Sequence, residues 1–172
     1  MSVENFIEFW RDKGGAESRM AQRYLAARED FESSHREMLK CLRPKASGKM
    51  TLLVLRDADA VVARFEGAEK ILNDVAHDIE QFEELAGNHT LDMLARERQR
   101  LKRALDNAVY ATKTATLRQI RNNRAKSAEE AVTTAEVLDC AAKRDRIAED
   151  LGPKLKDIET RIKQARAILA KY

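Results

Sequence analysis

The chain has 172 residues, of which 35% are charged and only 5% aromatic, with six Gly and two Pro. This length suffices for one domain whose core needs no disulfide or metal, and the composition is typical of long helices and coiled coils rather than of sheets. The 32 basic and 29 acidic side chains leave a net charge of only +3, so no global field marks the chain as a binder of polyanions.

Neither the N-terminus nor the cysteines indicate export. The opening segment, MSVENFIEFWRDKGG, has acidic side chains early and no apolar run of signal-peptide length. No stretch approaches the ~20 apolar residues that span a bilayer. Cys41 and Cys140 have no CxxC partner and lie in helical patterns, so we expect buried thiols in a reducing compartment. The expected location is cytoplasmic.

Helix breakers divide the chain into a short leader and four long helices. The breakers are Gly14-Gly15, Pro44 to Gly48, Gly87 to His89, and Gly152-Pro153. The leader, residues 1–13, is predicted to be a short helix, because its apolar residues recur at helical spacing. The pattern over residues 1–172 predicts a single all-α domain. Its expected form is an elongated antiparallel helical bundle or coiled coil of about four long helices plus a short N-terminal helix.

Helix A, residues 16–43, and helix B, residues 50–86, each carry one apolar stripe. In helix A the stripe alternates steps of four and three: Met20, Tyr24, Ala27, Phe31, Ser34, Met38 and Cys41. In helix B it follows the a/d heptad pattern: Ala58, Val61, Phe65, Ala68, Leu72, Val75, Ile79, Phe82 and Ala86. This repeat predicts a left-handed coiled-coil seam. We expect Gly87 to end helix B in a left-handed conformation and Thr90 to cap the next helix.

Helix C is predicted over residues 90–151, a segment without Gly or Pro, and helix D over residues 153–172, with Pro153 in its first turn. A kink in helix C is predicted near 121–127, where Ser127 to Glu130 has the form of a capping box. The first half of helix C buries Leu94, Leu101, Ala108 and Ala115 in this pattern. The second half uses Leu117, Ile120, Ala128, Ala131, Ala135, Leu138 and Ala142, and helix D uses Leu155, Ile158, Ile162, Ala165 and Leu169.

Charge is segregated along the middle of the chain. Residues 57 to 92 carry ten acidic against two basic side chains, a balance of −8, whereas residues 96 to 126 carry ten basic against two acidic, a balance of +8. If helices B and C pack as antiparallel neighbours, Glu80 lies near Arg96, Asp78 near Arg98 and Asp74 near Lys102. We therefore expect the charges of these two segments to neutralise each other. Such exposed ion pairs would select the orientation and register of the helices more than they would stabilise the fold.

No motif of the sequence predicts catalysis, and we expect neither an enzyme nor a cofactor. The segment from Lys45 to Thr51 lacks the first Gly, the Ser or Thr after Lys49 and the preceding strand of a phosphate loop, so an interhelical loop is expected. Glu32 and His35, with Asp74 and His77, have the spacing of helical metal ligands, but they lie off the core stripes. A metal site is therefore not expected.

The leading hypothesis is a non-enzymatic helical scaffold that acts through protein contacts and self-associates, with a homodimer favoured. Helix C outlasts helix B by roughly 25 residues. Helix D covers much of that excess, and a two-helix extension of C and D is only marginally buried without helix A or a second chain. The residues expected to meet a partner are Val132, Val137, Ile147, Arg118, Arg121 and Arg124. Two alternatives remain. The first is a peripheral membrane module, similar to BAR domains in architecture only, with an apolar wedge at Phe6 to Trp10. The second is a nucleic-acid-associated or virus-assembly protein whose basic segment 96–126 contacts phosphates without recognising base sequence.

Overall fold

The computed structural model of the protein describes residues 2–42, 52–87, 90–122 and 124–172. Every regular element in these ranges is an α-helix, which confirms the all-α prediction. The helices are α1 (Val3–Trp10), α2 (Gly15–Leu42), α3 (Leu52–Ala86), α4 (Leu91–Arg121), α5 (Ala128–Val132) and α6 (Ala135–Leu169). They form two compact units, the first made of Met1–Asn88 with Ala165–Tyr172 and the second of His89–Gln164.

The first unit is built on the packing of α2 along α3, with α1 in contact with both. The apolar stripes predicted for these helices are the ones that the fold covers. Their fully buried members are Met20, Ala27, Ser34, Ala68, Val75, Ile79, Phe82 and Ala86. Phe6 of α1 is also fully buried and meets Phe82 edge-on, with 5.8 Å between ring centroids. Burial of these apolar side chains is the main source of stability in this unit.

Residues 171 and 172 join the first unit through a buried carboxylate. Asp78 is only 7% exposed, and it accepts hydrogen bonds from Lys171 Nζ at 2.5 Å and from the Tyr172 hydroxyl at 2.7 Å. Arg19 Nε donates to the backbone carbonyl of Tyr172 at 3.0 Å. A buried charge is costly unless it is paired, so these donors make the burial of Asp78 tolerable. Burial and, second, the Asp78 hydrogen bond raise the pKa of Tyr172.

The second unit is a helical hairpin in which α4 and α6 run antiparallel on either side of the short α5. Thr112 of α4 donates to the carbonyl of Cys140 at 3.3 Å, while Gln119, two turns later, reaches Glu136, which precedes Cys140. The buried side chains of this unit are Leu94, Leu101, Ala115, Gln119, Ala125, Ala131, Val137 and Ile162. Leu94, Leu101 and Ala115 belong to the stripe predicted for the first half of helix C.

Local signals at the end of α3 and the start of α4 act as predicted. Gly87 has a φ of 58°, the left-handed conformation that glycine adopts without steric cost, and its N–H donates to the carbonyl of Glu83 at 2.8 Å. The Thr90 hydroxyl accepts a hydrogen bond from the N–H of Met93 at 3.2 Å, which makes Thr90 the N-cap of α4.

The prediction of one continuous helix over residues 90–151 is wrong. Helix α4 ends at Arg121, and the next helical residue is Ala128. The Ser127 hydroxyl accepts from the N–H of Glu130, and Glu130 Oε2 accepts from the N–H of Lys126 at 2.7 Å, so a reciprocal cap starts the new helix. A second turn at Thr133 and Thr134 separates α5 from α6. The capping box therefore marks a helix start rather than a kink.

The predicted boundary between helices C and D at Pro153 is also wrong, because α6 runs through Pro153 without a break. A proline inside a helix removes the hydrogen bond to the carbonyl four residues earlier, here that of Glu149. Both Glu149 and Pro153 are exposed, so water can solvate that carbonyl. Half-buried apolar side chains lie on both sides of the proline, at Leu151 and Leu155, and the helix continues through it.

The interruption after α4 also changes which residues of α6 face inward. The pattern predicts burial of Leu117 and Leu138, but these side chains are 67% and 54% exposed. Val137, the neighbour of Leu138, is only 2% exposed instead. Leu117 belongs to α4, where the buried stripe of Leu101 and Ala115 continues to Gln119 and leaves Leu117 on another face. In α6, a stripe extrapolated across a non-helical segment loses its phase, which explains the shift from Leu138 to Val137.

Candidate interaction surfaces

The residues with the spacing of metal ligands serve other contacts or face solvent. Glu32 Oε1 accepts from Arg28 Nε at 3.0 Å, and the ring of His35 packs on Phe65 with 5.6 Å between centroids. His77 is exposed. Within the described ranges, no three His, Cys, Asp or Glu side chains are grouped so that they could hold a metal ion. The predicted loop from Lys45 to Thr51 lies outside the described residues.

Two further predictions concern the cysteine thiols and the apolar residues at the N-terminus. Cys140 is a free, half-buried thiol rather than a fully buried one, and the side chain of Cys41 lies outside the described part of the chain. Phe6 and Ile7, members of the proposed membrane wedge, are buried in the first unit. None of the described helices combines the length and the apolarity that crossing a bilayer requires.

The turn from α4 to α6 is fixed by a carboxylate. Glu136 accepts hydrogen bonds from the buried amide of Gln119 and from Arg118 Nη1, the latter at 3.3 Å. The Arg118–Glu136 pair is more than one-third exposed at each side chain, so it orients the turn more than it stabilises the unit. Arg118, expected to meet a partner, is thus engaged within the chain.

The other residues expected to bind a partner differ in accessibility. Val132 is 48% exposed and Arg121 and Arg124 face solvent, so these three are available. Ile147 is half-buried, and Val137 is covered by the chain itself. An accessible surface in this region therefore includes Val132 and excludes Val137.

One face of α4 combines arginines with exposed apolar side chains. We name it the basic stripe, and its members are Arg96, Arg100, Arg103, Tyr110, Leu117 and Arg121. Steps of seven connect Arg96, Arg103, Tyr110 and Leu117, which places them on one side of the helix. Tyr110 is 71% exposed. Arg100 lies 3.6 Å from Glu97, whereas Arg96, Arg103 and Arg121 form no ion pair with the described residues of their unit.

The outer face of α3 carries the opposite charge. We name it the acidic stripe, and its members are Asp59, Glu66, Lys70, Glu80 and Glu84. All are exposed, and steps of seven connect Asp59 to Glu66 and Lys70 to Glu84, so they share a face turned away from the buried seam. Its four carboxylates form no ion pair with the described part of the first unit. The expected pairs Glu80–Arg96 and Asp74–Lys102 join residues of different units and stay predictions. Asp78, expected near Arg98, is instead bound by Lys171 and Tyr172 within the first unit.

Sequence reasoning missed Tyr110 and Leu117 as surface residues. The pattern assigned Leu117 to the core stripe, and it gave Tyr110 no role. The sequence did contain a signal, because both residues lie at multiples of seven residues from Arg96 and Arg103, which places them on the polar side of the helix. An apolar residue in phase with arginines is a candidate for contact with a partner.

An open groove lies between α4 and α6 in the second unit. Its volume is about 470 Å³, and its lining includes Leu101, Pro153 and Ile158, with Glu97 and Arg161 beside them. A neighbouring hollow of about 260 Å³ adds Met93 and Leu94. The apolar lining fits side chains of another polypeptide.

Comparison with protein-family models, with curated proteins and with solved structures found no match. The features that bear on function are therefore the two stripes, the groove and the exposed apolar side chains.

Proposed function

We propose that this protein is a non-enzymatic helical scaffold that acts through protein–protein contacts and self-associates, with a homodimer favoured. One observation carries the proposal: large apolar side chains remain exposed on all three helices of the second unit, α4, α5 and α6. They are Met93, Val109, Tyr110, Leu117, Val132 and Leu138, with exposed fractions of 41% to 71%. A hairpin of two helices buries little apolar area, and another chain is a natural cover for what remains.

The chemistry available on these surfaces supports the same conclusion. The apolar residues are interspersed with Arg96, Arg103 and Arg121 of the basic stripe. Tyrosine and arginine are enriched at protein interfaces, where a ring or a guanidinium provides area and hydrogen bonds together. The apolar groove between α4 and α6 adds a concave surface that fits a helix from a partner.

The test is the mass of the full chain in solution over a range of concentrations, measured by multi-angle light scattering. We expect a dimer, and we expect Leu117→Glu to raise its dissociation constant about tenfold or more by placing a charge in a desolvated contact. The matched control is Leu39→Glu, because Leu39 is 45% exposed on α2 of the first unit. A parent chain that stays monomeric at every concentration contradicts the proposal.

A second candidate is contact with nucleic-acid phosphates through the segment 96–126, favoured by exposed Tyr110 among the arginines of α4. Aromatic rings stack on bases and arginines neutralise phosphates, with little dependence on sequence. Binding of a labelled oligonucleotide should then fall steeply with salt and be weakened by Tyr110→Ala. Absence of binding at low salt removes this candidate.

A further inference from the structure

The acidic stripe and the basic stripe have the same length. The first extends from Asp59 to Glu84 and the second from Arg96 to Arg121, which is 25 residue steps in each case. At 1.5 Å per residue, each stripe runs about 38 Å along its helix. The chain therefore displays two straight surfaces of equal length, one on each unit.

The charges of the two stripes are complementary. Four carboxylates and Lys70 give the acidic stripe a balance of −3, and four arginines without a carboxylate give the basic stripe a balance of +4. The acidic carboxylates make no ion pair with the described residues of the first unit. Among the described residues of the second unit, only one forms an ion pair with an arginine of the basic stripe: Glu97, whose carboxylate lies 3.6 Å from Arg100. Each surface thus lacks the counter-charge that the other carries.

We propose that the acidic stripe of one copy of this chain docks along the basic stripe of a second copy, so that a symmetric dimer contains this contact twice. The proposal rests on the self-association proposed above and names the surfaces that mediate it. A two-fold dimer requires that one chain carry both halves of a contact, and this chain carries both, on stripes of equal length. Tyr110 and Leu117 supply the apolar area of the contact, because they lie within the basic stripe.

Charge in such a contact sets orientation and partner choice more than affinity. Exposed ion pairs contribute little each, and like charges placed opposite each other disfavour the wrong arrangement. The association should therefore weaken between about 0.05 M and about 0.5 M NaCl, over which the screening length shortens several-fold.

The test uses charge reversal in the full chain. One variant combines Glu66→Lys with Glu80→Lys in the acidic stripe, and the other combines Arg96→Glu, Arg100→Glu and Arg103→Glu in the basic stripe. All five side chains are exposed, so circular dichroism and thermal unfolding should match those of the parent. Each variant alone should show a dimer dissociation constant at least about tenfold higher, because its two stripes now carry like charges.

Mixing the two variants distinguishes contact between chains from contact within one. In the mixture, both contacts of a heterodimer again join opposite charges, so sedimentation velocity should show a 1:1 heterodimer. A chain carrying all five substitutions should also form a homodimer again. The control is Glu149→Lys with Glu159→Lys, two exposed positions of α6 outside both stripes that make the same change in net charge as the acidic-stripe variant.

The remaining outcomes overturn the proposal in distinguishable ways. If mixing restores no heterodimer, the stripes do not pair between chains. A parent dimer that neither salt nor charge reversal weakens would leave self-association standing and remove the stripes as its surface. A parent that is monomeric throughout would remove both proposals. If the variant of the basic stripe, with Arg96, Arg100 and Arg103 all changed to Glu, abolishes retention of an oligonucleotide while the dimer is unchanged, the basic stripe binds phosphate instead.

Discussion

At the scale of single residues, Asp78 decides how the C-terminal part of α6 and the two residues after Ala170 join the first unit. Its carboxylate is nearly buried, and both of its hydrogen-bond donors come from residues 171 and 172. Removing a donor leaves a buried acceptor partly unsatisfied, which costs more than the bond itself contributes. The pair Asp78 and Tyr172 should therefore affect stability more than surface polar groups do.

Tyr172→Phe should lower the free energy of unfolding by about 1 to 2 kcal/mol at neutral pH, because Asp78 loses one donor. Folding raises the pKa of Tyr172, so the unfolded chain releases this proton first, near pH 10. The stability that the protonated Tyr172 hydroxyl contributes is complete below that pH, and it is lost as the pH rises toward the pKa of Tyr172 in the folded state. The variant should therefore lose less stability above about pH 10 in urea titrations. Tyr110→Phe, at an exposed ring, is the control, and parallel alkaline losses in parent and Tyr172→Phe would contradict the assignment.

Phe82→Ala should cost about 3 to 5 kcal/mol of unfolding free energy, because the ring is 2% exposed and its loss leaves a cavity against Phe6. The a/d pattern gave Leu72 the same importance, but Leu72 is only half-buried, so Leu72→Ala should cost less. Urea unfolding measures both, with Leu39→Ala at an exposed position as the control. Equal costs at Phe82 and Leu72 would show that the seam is more uniform than the fold indicates.

At the scale of helices, the sequence predicted best where a local interaction decides the conformation. Gly87 and Thr90 act through bonds within one turn, and both were read correctly. The start at Ser127 was visible as a capping box, but a propensity pattern does not say whether the preceding helix bends or stops. Pro153 shows the opposite failure, since a strong local signal to end a helix does not end α6, which runs through the proline.

Pro153→Ala should stabilise the protein by about 1 to 3 kcal/mol, because it restores a hydrogen bond inside α6 at an exposed position. Gly67→Ala in α3 is a useful reference, since an added Cβ there meets nothing within 4 Å and should stabilise by about 1 kcal/mol. Thermal unfolding compares the two variants with the parent. A loss of stability in Pro153→Ala would mean that the proline shapes α6 for contacts that a straighter helix cannot make.

At the scale of the whole molecule, the sequence shows that acidic and basic side chains are segregated, but it does not show what each charged segment contacts. The balances of −8 and +8 are visible in the order of residues, yet that order does not specify whether the charges meet within a chain or between chains. Likewise, Tyr110 and Leu117 of the basic stripe could not be identified as exposed from periodicity alone. Periodicity identifies faces of a helix, and only the fold tells which face is covered.

The last prediction separates folding from assembly at two valines in the second unit. The sequence favoured Val137 as an interface residue, with Val137→Glu weakening self-association before it unfolds the chain. Since Val137 is only 2% exposed, the buried charge should instead lower the unfolding free energy by about 3 kcal/mol or more.

Val132→Glu is the matched comparison, because Val132 is 48% exposed and lies five residues earlier. Its stability should stay within about 0.5 kcal/mol of the parent, so any loss of dimer in that variant reports the interface directly. Thermal unfolding and sedimentation velocity on both variants provide the two readouts. A Val137→Glu protein that keeps the stability of the parent and loses its dimer would place Val137 in a contact between chains, as the sequence pattern first indicated.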